Sequence, residues 1–249
     1  MTAKAAQGIR AGGVELNLTR RTALKVLVID VGGTNVKVYL PGRVEPLKIP
    51  SGPTMTARRM VSSVKRLTAR IIYDRVSIGY PGPVLHGRPL AEPRNLGRGW
   101  MRFDFKQAFE CPVVVVNDAA MQALGSYRGG RMLFLGLGTG LGTTLIVDGV
   151  LAPLELAHLP YLKGRTFEDF VGIRGLERYG KKQWRKHVAD ITERLRAALV
   201  CDDVVIGGGN ARLLKAPPAG ARLGNNAHAR AGGRRLWDQA VRTKPLGRK

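Results

Sequence analysis

Cysteine is nearly absent: Cys111 and Cys201 are the only two in 249 residues. Two thiols so far apart, each beside an apolar strand-like run, supply neither a disulfide framework nor a cysteine zinc site. Free cysteines of this kind are ordinarily buried packing residues. Long apolar runs are missing as well. No stretch approaches the roughly 18 residues of a membrane-spanning helix, and "MTAKAAQGIRAGGVELNLTRR" lacks the apolar core of a secretory signal. The expectation is a cytoplasmic protein with no membrane partner. Acidic residues are scarce too: 18 Asp and Glu stand against 41 Lys and Arg, a formal charge of +23. Such an excess calls for an acidic partner (nucleic acid, membrane surface or polyanionic substrate) unless most of the cations simply face water. Composition does not choose among these. The cations gather in Arg58, Arg59, Lys65, Arg66 and Arg70, in "RYGKKQWRK" from Arg178 to Lys186, and in the tail from Arg230 to Lys249.

With 44% hydrophobic residues, the chain can bury a sizeable core in one or two lobes. Residues 1–21 are polar and aperiodic and read as a flexible N-terminal arm. Leu24 to Asp30 and Asn35 to Leu40 read as two strands joined at Gly32-Gly33, a hairpin by pattern. "MTARRMVSSVKRLTARII" places Met60, Val64, Leu67 and Ile71 on one helical stripe opposite a basic face. "RVSIGYPGPV" is a strand running into a Pro/Gly loop, and "CPVVVVNDAAMQALGSY" is a buried strand that starts a helix at Asn117-Asp118. "MLFLGLGTGLGTTLIVDGVL" repeats the strand-glycine-strand pattern. Trp184, Val188, Ile191 and Leu195 fall at helical spacing, and "DDVVIGGGNARLL" returns as strand, glycine loop and helix. The echo of the two glycine hairpins suggests a duplicated α/β lobe: residues 22–119 carry the first, residues 120–249 the second and the basic tail.

In "VLVIDVGGTNVKVYL", glycines let main-chain N–H groups converge on an anion, Thr34 and Asn35 add neutral donors, and Lys37 adds a point charge. Asp30 beside phosphates makes sense with Mg²⁺, which takes one or two carboxylates together with phosphate oxygens and water. An ordinary hairpin turn accounts for the glycine pair equally well. The second segment, "GLGTGLGTT", has Gly136, Gly138, Gly140 and Gly142 interleaved with Thr139, Thr143 and Thr144. So many glycines in strand-like sequence need a reason, such as close approach of a ligand or of another backbone. Neither the Walker phosphate loop nor the dinucleotide fingerprint occurs. Asp118 stands where a buried strand meets a helix N-terminus, a place for a general base in open α/β sheets and equally a place for a helix cap. Hydroxylated ligands need donors and acceptors together, and polar side chains for that purpose lie in "NLGRGW" (Asn95, Trp100) and "LELAHL" (Glu155, His158); Gly79 to Gly82 form a loop nearby. His187 and His228 read as surface residues without a role.

Taken in order, "DVGGTNVK", "GYPGPV", "NLGRGW", "VVVVNDA", "GLGTGLGTTLIVDG", "ELAHL" and "VVIGGGN" resemble the ROK family of sugar kinases and regulators. The resemblance covers about residues 24–240 and implies an α/β, two-lobed, actin-like (ribonuclease-H-like) fold. The family's zinc segment, a cysteine cluster after the histidine, is missing beyond His158. "KGRTFEDF", "GKKQW" and "ARLGNNA" stand there and beyond, similar to the polyphosphate-using glucokinase branch.

The resemblance implies phosphoryl transfer from polyphosphate, and also from ATP, to the 6-hydroxyl of glucose or a similar hexose. Asp118 would be the catalytic base, and Asn95, Asn117, Glu155, His158 and Glu168 the sugar-binding residues. It assigns Asp30, Gly32, Gly33 and Thr34, with Asn35 and Lys37 beside them, to the first phosphate motif. Gly138, Thr139 and Gly140 match the second, and Gly207, Gly208 and Gly209 the loop that borders ATP. Mg²⁺ would sit near Asp30 through the phosphates, with no zinc site. Ala157 departs from the family's usual glycine and bears on sugar preference. Polyphosphate, rather than nucleic acid, then accounts for the charge, and relatives' frequent dimerisation carries over as a possible homodimer. The rivals are a strictly ATP-dependent hexokinase and a sugar-responsive regulator. The latter would need a DNA-reading module, for which the short arm lacks two helical patterns.

Overall fold

The computed structural model describes residues 24–225 and 227–238. The expected arm over residues 1–21 and the end of the basic tail lie outside them.

Two five-stranded sheets dominate. The first is built from β1 (Val26–Val31), β2 (Asn35–Tyr39), β3 (Leu47–Pro50), β4 (Arg75–Tyr80) and β7 (Val113–Asn117), in the order β3-β2-β1-β4-β7. Between β4 and β7 the chain forms a small hairpin, β5 (Val84–Leu85) with β6 (Arg88–Pro89). The second sheet takes β8 (Arg131–Leu137), β9 (Leu141–Val147), β10 (Val150–Leu154), β11 (Asp203–Gly207) and β12 (Ala221–Leu223), in the order β10-β9-β8-β11-β12. Each sheet opens with three antiparallel strands and continues with two parallel ones. The duplication suggested by the glycine echo is therefore present in the strand order itself.

Helices fill three layers around the sheets. On the outer face of the first sheet lie α1 (Ala57–Leu67) and α2 (Phe105–Phe109). Between the sheets lie α3 (Asp118–Ser126) and α6 (His228–Arg235). On the outer face of the second sheet lie α4 (Phe167–Val171) and α5 (Ile173–Ala198). The strands dictate this sandwich, because successive side chains point to opposite faces. Leu27, Ile29 and Val31 join the outer core while Val26 and Val28 meet Met121 and Ala229. Leu133, Leu135 and Leu137 likewise pack on α5, while Met132 and Phe134 face α3.

The helices depart from expectation in two places. α1 buries Ala57, Met60, Val61 and Val64 and ends at Leu67, which is exposed; Ile71 lies beyond it. Thr68 stops the helix, its hydroxyl turning back to donate to the Val64 carbonyl. α5 does bury Trp184, Val188, Ile191 and Leu195, but Gly180, with φ of 67° and ψ of 164°, breaks it into two pieces. Cys111 and Cys201 are half-buried packing neighbours of the two outer cores rather than fully buried thiols.

Part of the basic tail is structural. Arg235 donates from Nη1 to the carbonyls of Leu124 and Tyr127 at 2.8 and 3.0 Å, capping the C-terminal end of α3. α3 and α6 also cross very closely at two glycines. A Cβ on Gly125 would run into the His228 carbonyl, and one on Gly232 into the Met121 carbonyl.

Candidate active site

The first glycine turn joins β1 to β2, with Gly33 and Thr34 exposed at its tip. Its carbonyls are held from below, since Gly32 N–H donates to Asn35 O, Ser51 N–H to Thr34 O, and Ser51 Oγ to Gly32 O at 2.6 Å. Nothing in the sequence pattern marked Ser51 for this task. Lys37 does not project toward the tip: it lies opposite Asp30 in the β1–β2 register, and its Nζ is 3.1 Å from Asp30 Oδ2. The point charge expected from Lys37 is therefore committed to Asp30, which is buried.

The second turn, Gly138 to Gly140, occupies the equivalent position between β8 and β9, with Thr139 exposed. Thr139 O accepts from Ile173 N–H, the start of α5, and Asn210 Nδ2 donates to Gly138 O at 3.0 Å. Asn210 follows the Gly207 to Gly209 loop, so that loop lies beside the second turn. Thr143 and Thr144 do not face the cleft. Thr143 Oγ1 donates to Leu154 O and accepts from Leu156 N–H, tying the chain around Glu155 to β9. Thr144 is fully buried, its hydroxyl without a partner among the described residues.

Asp118 lies between the two turns. The cap of α3 is Asn117, not Asp118: Asn117 Oδ1 accepts from the N–H groups of Ala119 and Ala120 at 2.9 and 3.2 Å, and its Nδ2 donates to Gly82 O. One N–H of the Asn117 amide thus stays available to a ligand. Asp118 follows as the first helical residue, its Cα beside Gly79, while Ala119 packs on Gly142 of the second hairpin. The sheet, the helix start and the second hairpin meet at the backbone of Asp118 and the side chain of Ala119. Desolvation by burial raises its pKa and the nearby Asp30 carboxylate raises it further. Backbone N–H groups of Ala119 and Asp118, and Lys37, pull it back, and the outcome is about 7. A carboxylic acid that titrates near neutrality in a cleft is matched to proton transfer.

The remaining polar residues gather around Glu168. Its carboxylate lies against Gly140, and its Oε1 is 3.5 Å from Arg94 Nη1 and 3.6 Å from Arg174 Nη2. Asn95, next to Arg94, lies over Gly33 of the first turn, where a Cβ on that glycine would be 3.4 Å from the Asn95 Cβ. Glu155 is raised by burial and by Glu168 and lowered by His158 and Arg94, so these four groups share one electrostatic neighbourhood. Asn95, Glu155, His158, Glu168 and both turns are brought together. Arg94 and Arg174 went unread in the sequence, although Arg94 adjoins "NLGRGW". Trp100 does not belong to the site: it is fully buried, and its indole N–H donates to Gly97 O at 2.7 Å.

Among the described residues, no group of three or more His, Cys, Asp or Glu side chains gathers into a metal cluster. Nor is any helix among them long and apolar enough to cross a membrane.

Comparison with known proteins follows the same lines. A polyphosphate glucokinase of Mycobacterium tuberculosis is 25% identical over 74% of this chain and 77% of its own length. The inorganic polyphosphate/ATP-glucomannokinase of an Arthrobacter strain superposes with a TM-score of 0.70 at 23% identity, covering 85% of this chain and 97% of that one. A ROK family glucokinase of Streptomyces griseus, solved with glucose and AMPPNP, gives 0.62 at 19% identity over 85% and 98% of the two chains. These likenesses show the two-lobed actin-like, ribonuclease-H-like fold. The ROK family model matches residues 26–153. Because that match spans more than half of the chain and runs through both glycine hairpins and Asp118, this chain belongs to the ROK family.

Proposed function

We propose that the chain is a glucokinase that moves a phosphoryl group from polyphosphate, and also from ATP, to the 6-hydroxyl of glucose. The observation that carries this reading is the Asp118 carboxylate, raised to about 7 beside Asp30 and set between two glycine hairpins. In the reaction, Asp118 accepts the proton of the sugar hydroxyl as its oxygen attacks the terminal phosphorus. The new O–P bond forms in line with the breaking bond to the bridging oxygen, whose electron pair leaves with the shortened donor. Exposed backbone at Gly33, Thr34 and Thr139 receives the phosphates, while Asn95, Glu155, His158 and Glu168 orient the sugar.

Asp30, at the end of β1 beside the first turn, fits Mg²⁺, which prefers one or two carboxylates completed by phosphate oxygens and water. When bound there, the cation would neutralise charge on the donor phosphates. Both donors have support. The polyphosphate reading rests on the excess of 41 cationic over 18 acidic residues and on the names of the relatives. The ATP reading rests on the Gly207 to Gly209 loop beside the second turn. The test is purified protein with Mg²⁺, a panel of hexoses, and polyphosphate or ATP, followed by phosphorus NMR of the sugar product. Glucose 6-phosphate is the expected product, and no sugar phosphate from any pairing would refute the assignment.

A further inference from the structure

Outside the cleft, a cluster of titratable side chains is packed between α5 and the loop that runs from His158 to Glu168. The loop is folded on itself. Pro160 bridges Thr166, Tyr161 N–H donates to Arg165 O at 2.7 Å, and Phe167 N–H to Leu159 O at 3.1 Å. Lys163 and Gly164 turn its tip with φ of 53° and 68°, and Leu162, Lys163, Gly164 and Arg165 are all exposed. Such a tip buries little, Leu162 included, so the loop is held where its inner side chains enter the protein.

The main such side chain is Tyr161. Its ring meets Phe170 edge-on at 4.9 Å and His187 at 5.8 Å, and lies tilted against Phe167 at 5.4 Å. Its hydroxyl donates to Asp190 Oδ2, and His187 Nδ1 is 3.2 Å from the Tyr161 hydroxyl oxygen. A tyrosine has one hydroxyl proton, and that proton goes to Asp190. His187 therefore carries its own proton on Nδ1 and donates it to the tyrosine oxygen. Arg194 Nε closes the chain on Asp190 Oδ2 at 2.9 Å. His187, read from sequence as a surface residue, is only 9% exposed. Burial keeps it neutral, with Asp190 opposing, and burial together with Asp190 keeps Tyr161 protonated above the usual tyrosine range. Each partner is thus in the protonation state that the relay needs.

The two ends of this loop are His158 and Glu168, and Glu168 rests on Gly140. We propose that Tyr161, His187 and Asp190 form a clasp of positioning residues that fixes His158 and Glu168 for the sugar, without touching the donor. The word sugar rests on the function proposed above; the clasp itself rests on the contacts.

The test compares wild type with Tyr161→Phe, which keeps the ring and removes the hydroxyl. Backbone hydrogen exchange over residues 155–168 should accelerate about tenfold, the effect of losing roughly one hydrogen bond. The glucose KM should rise by a similar factor while the donor KM stays unchanged. His187→Asn, which retains an N–H donor near the Nδ1 position, should behave almost as wild type, and His187→Leu should behave as Tyr161→Phe. Unchanged exchange in Tyr161→Phe, equal rises in both KM values, or identical behaviour of the two His187 variants would overturn the clasp. If Tyr161→Phe fails to fold, the His187 pair decides. A wild type that phosphorylates no sugar sinks the proposed function instead, and exchange still decides whether the clasp holds the loop.

Discussion

Arg94 Nη1 lies 3.5 Å from Glu168 Oε1, and this contact joins the two halves of the cleft. Arg94 comes from the loop that carries Asn95 onto the first glycine turn, and Glu168 sits on the second. The pair is open to water on the arginine side, so its contribution to stability is small. Its use is in register, because the Asn95 amide and the Glu168 carboxylate are thereby tied to opposite glycine turns.

Replacing Asp118 by Asn should lower kcat by about 10²–10⁴-fold, the usual worth of general-base assistance. The helix cap survives this change, since Asn117 and not Asp118 closes the N-terminus of α3. Calorimetric titration should therefore still detect glucose binding. Turnover near that of wild type would leave Asp118 with no part in proton transfer.

The same carboxylate predicts two pH dependences of opposite sign. Proton acceptance needs the ionised form, so kcat/KM should climb with pH and level off above about 7, where Asp118 is ionised. Stability runs the other way. A folded-state pKa raised from 3.8 to about 7 means that its stabilising share is whole below the unfolded value and is lost as pH rises through about 7. Asp118→Asn should thus melt at a higher temperature than wild type at pH 8 and at nearly the same temperature at pH 4. Thermal melts at the two pH values check this, and equal differences at both would contradict it.

EDTA should stop turnover and added Mg²⁺ should restore it, because Asp30 provides a carboxylate of the kind that cation takes together with donor phosphates and water. Elemental analysis of the purified protein should show no stoichiometric zinc. One tightly held zinc per chain would contradict the reading of the sequence beyond His158.

Polyphosphate should be far more sensitive to salt than ATP. A polymer engages several cations at once, and each displaced counterion steepens the loss of affinity with ionic strength. The "RYGKKQWRK" segment sets Lys181, Lys182, Arg185 and Lys186 on α5. The three lysines are exposed, but Arg185 is engaged, its Nε donating to Leu213 O at 2.8 Å. Changing the three lysines together to Gln should flatten the rise of the polyphosphate KM with KCl and leave glucose saturation alone. An identical salt response for the two donors would point to ATP as the working donor.

Gly232→Ala places a methyl group against the Met121 carbonyl where α6 crosses α3. Overpacking of this kind costs about 1–3 kcal/mol. For a chain of this length each kcal/mol lowers Tm by about 2–4 °C, a shift that scanning calorimetry resolves. An unchanged Tm would mean that the two helices are free to separate.

Much of the fold was legible because its strands are strongly patterned. Leu27, Ile29 and Val31 alternate with Val26 and Val28, and period-two burial on both faces needs helices on both sides. The turns were legible because glycine pairs interrupt such strands twice at equivalent places. Pairwise commitments were not. Lys37 looked like a phosphate ligand until the β1–β2 register set it opposite Asp30. Asp118 looked like a cap because Asn117 and Asp118 have the same propensity, and only the helix start separates them. Trp100 and His187 looked accessible because a lone aromatic or imidazole has no period to betray its burial, and Arg94 and Ser51 act through contacts that sequence spacing does not record.

The return of α6 to the first sheet governs how the protein emerges from the ribosome. Ser77 in β4 donates its hydroxyl to Gly233 O, 156 positions downstream, and Trp237 Nε1 donates to the same hydroxyl at 2.8 Å. At synthesis rates of about 5–20 residues per second, that gap takes about 8–30 s to translate. Throughout that interval the inner face of β1, with Val26 and Val28, lacks its final cover of Ala229. The first sheet is thus uncovered on that face until α6 has been made, and a nascent chain with such a face open is the state in which a chaperone has most to protect.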